Sequence, residues 1–551
     1  MDNIDNVEER IYDTEQEQKN KMVEGSLWLT LGNFASRLLG AIYIIPWYHW
    51  MGSYGNEANA LFGMGYNIYA LFLLISTSGI PVAVAKEVAK FNALDDENQS
   101  YRLVRRMLGF MLVLGAIVAV IMFMLAPALA GLSGSGRDLI PVMRSLALAV
   151  FVFPSMSVIR GFFQGNNNLK PVAISQLAEQ IVRVIWMLVM TFIIMKLGDK
   201  NYVRAVTQST TAAFIGMIAS LAVLFYYLYK TGMLEHLINP GPVSVHIDAV
   251  TMLKDTVIQA IPFIVLGSAI QIFKLIDQFT FSNTMRMLGN FTDSDLITFF
   301  SYLSSNPDKL TMILIAVGMS ISGVGIPLIT ENYFKGNERA TANLISDNIV
   351  LYAAFMIPAV AGLSMLAQPA YTLFYDIPNN LALNLFVFAS IQSLFLGLYV
   401  ILTPMMQALH YSRLALKYFA FIILLKLVIQ VPFIYLYESY GPLISTTLCF
   451  IIGNYMFLKK IQEITNFSIV MTLRRIVSIL MLTVVMALVT AVVFALLRLV
   501  IVPNTKFKSL IDLLLSGGAG FAAYLYLLAK LRIIDLLLGD RGTRLRQKLR
   551  L

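Results

Sequence analysis

Apolar stretches long enough to cross a lipid bilayer follow one another along almost the whole chain. A transmembrane helix needs about 20 mostly apolar residues, and fourteen such stretches can be recognised. They are continuous rather than alternating and too long for the strands of a membrane barrel. We therefore predict an all-α integral membrane protein with about 14 transmembrane helices. The predicted spans are 25–51, 59–86, 103–131, 139–163, 170–196, 203–230, 255–284, 309–334, 342–367, 380–410, 413–437, 441–460, 473–500 and 508–532.

The composition excludes several other classes of protein. Hydrophobic residues make up 58% of the chain and charged residues 13%, whereas soluble domains average about 45–50% and about 25%. A soluble enzyme and a disordered regulator are excluded, because so apolar a chain would expose more apolar surface than a soluble monomer tolerates. The single cysteine, Cys449, cannot form an internal disulfide, which excludes a disulfide-rich secreted protein.

The distribution of Lys and Arg predicts the orientation in the membrane. In a membrane protein, a net charge of +9 usually comes from basic cytoplasmic loops beside lipid headgroups and not from a surface that binds nucleic acid. With a cytoplasmic N-terminus, 27 basic residues fall in cytoplasmic loops and tails and 9 in outer loops. Both termini are therefore expected in the cytoplasm. The N-terminus lacks the pattern of a cleavable signal peptide, and the basic C-terminal tail suits anionic lipids.

Two pairs of matching motifs indicate an internal repeat. The segment STSGIPVAVAKEVAKF at 76–91 matches SISGVGIPLITENYFK at 320–335, which starts 244 residues later. Gln164 and Gln407, near the ends of the fourth and tenth spans, are 243 residues apart. Matching spans are six apart in chain order. Because six is an even number, both halves have the same orientation in the membrane. We predict two parallel six-helix repeats about an axis along the membrane normal, with the substrate between them and two further C-terminal helices.

These spans and loops divide the chain into six predicted parts. They are a cytoplasmic polar tail at 1–24, an N-terminal six-helix lobe at 25–230, a cytoplasmic linker at 231–254, a C-terminal six-helix lobe at 255–460, two additional helices at 461–532 and a basic cytoplasmic tail at 533–551.

Charged residues within spans are candidate functional residues, because a charge at the bilayer centre costs about 2.5–3.5 kcal/mol on insertion scales. Arg37 lies mid-way along the first span without an acidic residue nearby on the same helix. It is expected to face a polar cavity or to join a structural ion pair, and its guanidinium could bind two oxygens of a diphosphate. Lys426, in span eleven, also lacks a local partner and would face a cavity or, on a peripheral helix, a lipid headgroup.

Two other groups of charges could neutralise themselves within their own helix. Lys274 and Asp277 in span seven are three residues apart, and Glu179 and Arg183 in span five are four apart. These spacings put both side chains of a pair on one helix face. Each pair is either a structural ion pair or a cation or proton site, which makes Asp277 and Glu179 the candidates for coupling.

Residues at helix-softening motifs and span ends are candidates for gating. Pro removes a backbone hydrogen bond and Gly lowers helix propensity, so the two matching motifs are either packing kinks or hinges. Arg160 and Glu87 lie at predicted cytoplasmic ends of spans, where they are either solvated or involved in gating. The gating and hinge candidates are Ser78, Gly79, Pro81, Ser322, Gly323, Pro327, Arg160 and Glu87.

Little in the sequence indicates enzymatic chemistry. It has neither a nucleotide loop of the GxxxxGK type nor an HExxH motif. Asp293 and Asp295 form a DxD pattern, which can hold a metal-bound sugar nucleotide, but two carboxylates are a weak signal and their loop is predicted to lie outside the cell. We therefore predict a transporter without a metal site; a polytopic glycosyltransferase would have to use these two aspartates.

With these motifs the chain resembles the multidrug/oligosaccharidyl-lipid/polysaccharide exporter superfamily. Within it, the S-R-x-L-G pattern at 36–40 and the number of spans resemble the MurJ-type lipid II flippases. The SGIP motif at 78–81 and the run LLGAIYIIPW at 38–47 are similar to the Gram-positive branch of YtgP-like and stage V sporulation protein B-like polysaccharide biosynthesis proteins.

The resemblance implies that the chain moves lipid II, an undecaprenyl-diphosphate-linked disaccharide-pentapeptide, from the inner to the outer leaflet of the bacterial plasma membrane. The family's cationic cavity would bind the diphosphate and sugar, and Arg37 matches the family's first-helix arginine. Enterobacterial relatives have a second arginine and an aspartate where this chain has Tyr43 and Ile44. The missing positive charge is expected from one or more of Lys274, Arg183 and Lys426. Asp308, with Lys309 and Leu310, resembles an Asp-Arg-Leu element of those relatives.

No cofactor is expected, and transport is either coupled to Na⁺ or H⁺ or driven by the membrane potential. Expected partners are the lipid-linked glycan and anionic lipids; the cell-wall synthesis machinery is a candidate partner, and the chain is expected to be a monomer. The alternative function is a flippase for another lipid-linked polysaccharide, such as capsule or wall polymer. A cationic-drug exporter fits less well, because it would need an acidic cavity, whereas the charges within spans are mainly basic.

Overall fold

The regular structure of the chain is helical throughout the part that the structure describes. This computed structural model describes residues 39–40, 42–77, 79–94, 96–241, 261–262, 264–323, 325–500 and 502–531. Over these residues it contains no β-strand. Eleven helical runs there are long and apolar enough to cross a membrane. The chain is therefore an all-α, multi-pass membrane protein, as predicted.

Within the described ranges, length and hydropathy mark eleven helical runs, compared with the fourteen predicted spans. The runs Ile44–Ala93 and Ser412–Thr465 contain 50 and 54 residues, although one crossing needs only about 20. In addition, the predicted spans 25–51 and 255–284 lie partly outside the described residues. The predicted number of spans is therefore not confirmed.

The described α-helices are numbered here in chain order. The first eight are α1 (Ile44–Met51), α2 (Gly55–Thr77), α3 (Ile80–Ala93), α4 (Glu97–Leu132), α5 (Leu139–Gly165), α6 (Lys170–Phe192), α7 (Tyr202–Lys230) and α8 (Met233–Ile238). The others are α9 (Ala269–Leu288), α10 (Asp293–Phe300), α11 (Asn306–Gly323), α12 (Gly325–Phe334), α13 (Glu338–Met365), α14 (Ala367–Phe374), α15 (Asn380–Ala408), α16 (Ser412–Tyr437), α17 (Gly441–Thr465), α18 (Ile469–Arg498), α19 (Lys506–Asp512) and α20 (Gly518–Lys530).

The helices form two compact units. Unit 1 takes the described residues of Met1–Met51, Met64–Gly131 and Gly136–Ile264, and unit 2 takes those of Gly52–Gly63, Leu132–Ser135 and Val265–Leu551. Two short segments from the first half of the chain thus group with unit 2. They are held there by hydrogen bonds, since Asn59 donates to Asn306 Oδ1 at 2.6 Å and Gln278 donates to Ser133 Oγ at 2.8 Å. The predicted N-terminal lobe at 25–230 contained both segments, whereas the structure groups them with unit 2.

A short interruption divides a long helical run at the first of the two matching motifs. In unit 1, α2 ends at Thr77 and α3 begins at Ile80. Between them Gly79 has φ 74°, a left-handed conformation that glycine adopts at little steric cost. In unit 2, α11 extends to Gly323 and α12 starts at Gly325, and residue 324 between them lies outside the described residues. The helix-softening motif at 76–91 therefore coincides with a real helix end, and a break at the second motif stays a prediction.

Two glycines bring α5 very close to α3. A Cβ atom on Gly161 would lie 2.5 Å from the carbonyl oxygen of Pro81, and one on Gly165 would lie 2.7 Å from that of Ala85. Residues four apart share one helix face, and small residues at this spacing let membrane helices pack backbone to backbone. Consequently α3 is held against α5 directly after the break at Gly79.

This packing leads to a stability prediction. Gly161→Ala should lower the free energy of unfolding by about 1–3 kcal/mol, because the added methyl group must push the α3 backbone away. The matched control is Gly109→Ala on α4, where an added Cβ meets no atom within 4 Å; it should leave stability unchanged or slightly raised. Thermal unfolding of both variants in detergent is the measurement, and equal melting temperatures would contradict the close α3–α5 approach.

Candidate functional site

Three charged side chains meet inside unit 1. Glu179, on α6, accepts a hydrogen bond from Arg160 Nη2 through Oε2 and one from Arg183 Nη2 through Oε1, both at 2.8 Å. Arg160, on α5, also donates to Ser220 Oγ of α7 at 2.8 Å. One carboxylate thus lies between two guanidinium groups. This group of three, termed the arginine cluster, carries a formal charge of +1.

Close helix packing positions the arginine cluster. A Cβ on Gly216 of α7 would lie 2.6 Å from the backbone carbonyl oxygen of Glu179, so α6 and α7 approach each other closely at this level. Glu179 and Arg183 are four residues apart on α6, and the structure pairs them within their own helix, as one of the two interpretations of the sequence allowed. Arg160 reaches them from α5, whereas the sequence analysis gave it a solvated or a gating role.

The arginine cluster retains hydrogen-bonding capacity. The Nε atoms of Arg160 and Arg183 are buried and have no hydrogen-bond partner among the described residues. Tyr66 and Tyr69, whose rings are 5.5 Å apart, lie near enough to Arg183 to interact with it electrostatically. The Arg183 side chain is 20% exposed. Because guanidinium donors bind phosphate oxygens well, an excess positive charge with spare donors suits an anionic group.

Unit 2 pairs its charges in a different way from the sequence expectation. Lys274 forms an ion pair with Asp308 at 2.7 Å, and Asp277 forms one with Lys426 at 2.7 Å. One of the two interpretations of the sequence, neutralisation of Lys274 by Asp277 within one helix, is therefore wrong. The partners come from other helices, α11 and α16, because tertiary contacts place these opposite charges nearer than the helix spacing does.

Lys426 is completely buried, with 0% of its side chain exposed. Its ammonium group is surrounded by oxygen atoms of Asp277 and of α17. The expectation that Lys426 lines a substrate cavity does not agree with this arrangement, because the ammonium has no donor left for a ligand. Lys274 is 16% exposed and its partner Asp308 is 27% exposed, so this pair has access to solvent.

Two of the candidate residues, Arg37 and Ser78, lie outside the described residues. The backbone of Ser322 and Gly323 forms the end of α11, and Pro81 and Pro327 lie near the starts of α3 and α12. The carboxylate of Glu87 is 3.8 Å from the ammonium of Lys90 on the same helix. Glu331, which lies 244 residues after Glu87, also pairs with a lysine on its own helix, Lys335, at a spacing of four residues instead of three.

The DxD aspartates have structural partners. Asp295 closes a capping box at the start of α10, where its carboxylate accepts a hydrogen bond from the backbone N–H of Thr292. Asp293 pairs with Arg286 at 2.7 Å. Within the described residues, no group of three or more His, Cys, Asp or Glu side chains is arranged to hold a metal ion. Both carboxylates therefore have partners within the protein, and their positions are explained without a bound ligand.

Comparison with known proteins identifies the family. The profile described as "Polysaccharide biosynthesis protein" matches residues 22–333. The protein "Lipid II flippase MurJ" of Bacillus subtilis (strain 168) is 32% identical over 536 residues, which cover 95% of this chain and 97% of the relative. The chain belongs to the polysaccharide biosynthesis family, in its MurJ branch. Stage V sporulation protein B of the same organism is 25% identical over 40% of this chain and 42% of its own length.

Solved structures show the same fold for this MurJ-branch chain. A structure described as "Lipid II flippase MurJ, inward closed conformation" has a TM-score of 0.63 at 16% identity, and covers 92% of this chain and 99% of that one. An inward-facing multidrug resistance MATE family transporter of the MOP superfamily has a TM-score of 0.57 at 16% identity, and covers 78% of this chain and 96% of that one. The chain thus has the same fold as these two solved transporters.

The repeat offset marks one residue pair that the sequence interpretation did not use. Arg183 in unit 1 and Lys426 in unit 2 are 243 residues apart, the same offset as Gln164 and Gln407. Both carry a positive charge, and each pairs with a carboxylate in its own unit. A search for charged residues at this offset would therefore have related Arg183 to Lys426 from the sequence alone.

Removal of the shared carboxylate tests the arginine cluster. Glu179→Gln should lower the free energy of unfolding by about 1–3 kcal/mol, because it leaves two largely buried guanidinium groups without a counter-charge. Glu331→Gln is the matched control, since it breaks an exposed ion pair of the same helix spacing, and its melting temperature should equal that of the unmodified chain. Equal losses of stability in the two variants would show that Glu179 does not hold the two arginines together.

Proposed function

We propose that this chain moves lipid II from the inner to the outer leaflet of the bacterial plasma membrane. The observation that carries the proposal is the 32% identity to the Bacillus subtilis lipid II flippase over 95% of the chain. A match of this extent includes both units. The role is transport and not catalysis, since the DxD carboxylates already serve as a helix cap and an ion-pair partner.

The diphosphate of the substrate binds at positive charges of unit 1. Arg183 is the described residue best suited to this contact, because the arginine cluster has an excess positive charge and the Arg183 side chain is partly exposed. Its planar guanidinium can donate two parallel hydrogen bonds to phosphate oxygens. Arg37, which matches the family's first-helix arginine, is the second cation in this proposal. Lys274 remains a candidate because its ion pair is partly exposed.

The membrane potential favours movement of the anionic substrate outward. Each negative charge gains about 2.3 kcal/mol per 100 mV when it moves away from the negative inner side. This outward movement of the substrate goes with the chain orientation predicted from the Lys and Arg distribution, in which both termini lie in the cytoplasm. The interruption at Gly79 acts as a hinge, because a helix changes direction most easily where its hydrogen-bond ladder is already broken.

Substitution of the proposed anion-binding residues tests this function. Arg37→Ala and Arg183→Ala should each lower outer-leaflet lipid II about tenfold or more, since a hydrogen bond to a charged group contributes about 1.5–3 kcal/mol. Glu179 keeps its ion pair with Arg160 in Arg183→Ala, so the fold should persist. Arg183→Lys should be intermediate, because an ammonium cannot form the two-pronged contact.

The measurement uses cells depleted of the native chain and complemented with each variant. An externally applied probe labels lipid II in the outer leaflet only, and total lipid II is extracted in parallel. Arg204→Ala is the matched control, since Arg204 forms an exposed ion pair with Asp199. Full outer-leaflet labelling with both Arg37→Ala and Arg183→Ala, at wild-type protein amounts, would rule out their contact with the diphosphate.

A second function is favoured by the family description, which names polysaccharide biosynthesis without a specific glycan. In that case the chain moves another lipid-linked polysaccharide, such as a capsule or wall-polymer unit, and uses the same cations for the same diphosphate. Unchanged lipid II labelling after depletion, together with a change in wall-polymer composition, would favour this function. Export of cationic drugs is disfavoured by the positive charge of the arginine cluster, although MATE transporters share the fold.

A further inference from the structure

The ammonium group of Lys426 lies in a cage of oxygen atoms inside unit 2. Four oxygens surround its Nζ atom: Thr446 Oγ1 at 2.6 Å, Asp277 Oδ1 at 2.7 Å, Ser445 Oγ at 2.8 Å and the Pro442 carbonyl oxygen at 3.1 Å. An ammonium group has only three N–H donors. The four close oxygens are therefore one more than the ammonium can bind through separate N–H groups. They surround its charge as ligands surround an alkali ion.

The cage has internal hydrogen bonds that do not involve Lys426. Gln430 Nε2 donates to Asp277 Oδ1 at 2.9 Å, and Ser445 Oγ donates to Gln430 Oε1 at 2.6 Å. The hydroxyl of Thr446 also lies 3.4 Å from Asp277 Oδ2. Three helices, α9, α16 and α17, thus hold the oxygens in place. Carboxylate, carbonyl and hydroxyl oxygens are the ligands that hard cations prefer.

We propose that this cage is a monovalent-cation site that the chain fills with its own Lys426 ammonium. Asp277 is then compensated without a dissolved Na⁺ or K⁺. An ammonium group and a potassium ion have similar radii, so the same oxygens can surround either. The stability part of this proposal is independent of the transported substrate. Its consequence for coupling rests on the proposed transport function: Asp277 does not exchange a coupling ion in the unmodified chain.

The tethered cation explains why a lysine is found at a fully buried position. Asp277 is 8% exposed and Lys426 is 0% exposed, and a buried carboxylate without a counter-charge is strongly destabilising. A dissolved ion would compensate Asp277 only when its concentration exceeded its dissociation constant. A covalently attached ammonium is present at every ion concentration.

Chemical rescue of a shortened side chain tests the proposal. Lys426→Ala removes three methylene groups and the ammonium group, which together correspond to n-propylammonium. In choline chloride, whose cation is too large for the cage, the melting temperature should fall by about 5–10 °C. Replacement of choline by Na⁺, K⁺ or n-propylammonium at equal ionic strength should restore at least half of this loss. The neutral analogue n-propanol should restore none of it.

The matched control is Lys274→Ala, which removes the other lysine that forms an ion pair with a carboxylate of unit 2 near this level of α9. Its partner Asp308 is 27% exposed, so water can solvate the remaining carboxylate, and no cation should raise the melting temperature above its value in choline. The unmodified chain should melt at the same temperature in all four salts. A cation response in Lys426→Ala that is absent from Lys274→Ala separates this site from general salt effects.

A double variant keeps the test decisive if Lys426→Ala yields no folded protein. Lys426→Ala combined with Asp277→Asn removes both charges, and it should fold and melt above Lys426→Ala without any cation response. The proposal is overturned if neither alkali cations nor n-propylammonium stabilise Lys426→Ala, or if the double variant is as unstable as the single one. None of these measurements requires lipid II, so failure here is distinguishable from failure of the proposed flippase function.

Discussion

Compensation of buried charge is the constraint on which both units depend. An ionised side chain taken out of water loses several kcal/mol of solvation unless an opposite charge and hydrogen bonds replace it. Each unit answers this requirement with a carboxylate that joins different helices. Glu179 links α6 to α5 through Arg160, and Asp277 links α9 to α16 through Lys426. Removal of either carboxylate would leave positive charge where water cannot solvate it.

The two units nevertheless end with different charge balances. In unit 1, one carboxylate lies between two arginines, so one positive charge and spare guanidinium donors remain. In unit 2, the Lys426 ammonium and the Asp277 carboxylate neutralise each other and every ammonium donor is used. Equivalent repeat positions have therefore taken up different tasks. The surplus charge of unit 1 suits recognition of an anionic headgroup, whereas the balanced pair of unit 2 holds three helices together.

Rigid and deformable parts lie next to each other along the chain. The close contact of Gly161 and Gly165 with α3 fixes that helix against α5. Directly before it, the left-handed Gly79 interrupts the hydrogen-bond ladder. A rigid helix that follows a break can move as one body, since the change in backbone angles is confined to the break.

Much of the general architecture followed from local signals in the sequence. Long continuous apolar runs allow only membrane helices, because the bilayer leaves no other way to satisfy backbone hydrogen bonds. Gly79 and Pro81 predicted the position of a helix end, since these two residue types act on the backbone wherever they occur. The spacing of Glu179 and Arg183 likewise predicted their contact, which is made within a single helix.

The pairing of the remaining charges could not be predicted in this way. Lys274 and Asp277 are neighbours on α9, yet each bonds to a residue from another helix. Helix spacing describes only contacts within a helix, whereas a buried ion pair forms with the opposite charge that packing brings nearest. The sequence by itself thus determined the membrane-helical class, the helix break at Gly79 and the local pair. Only the tertiary structure decided that Lys426 compensates Asp277 and that Arg160 joins Glu179, because these partners lie on different helices and no local spacing relates them.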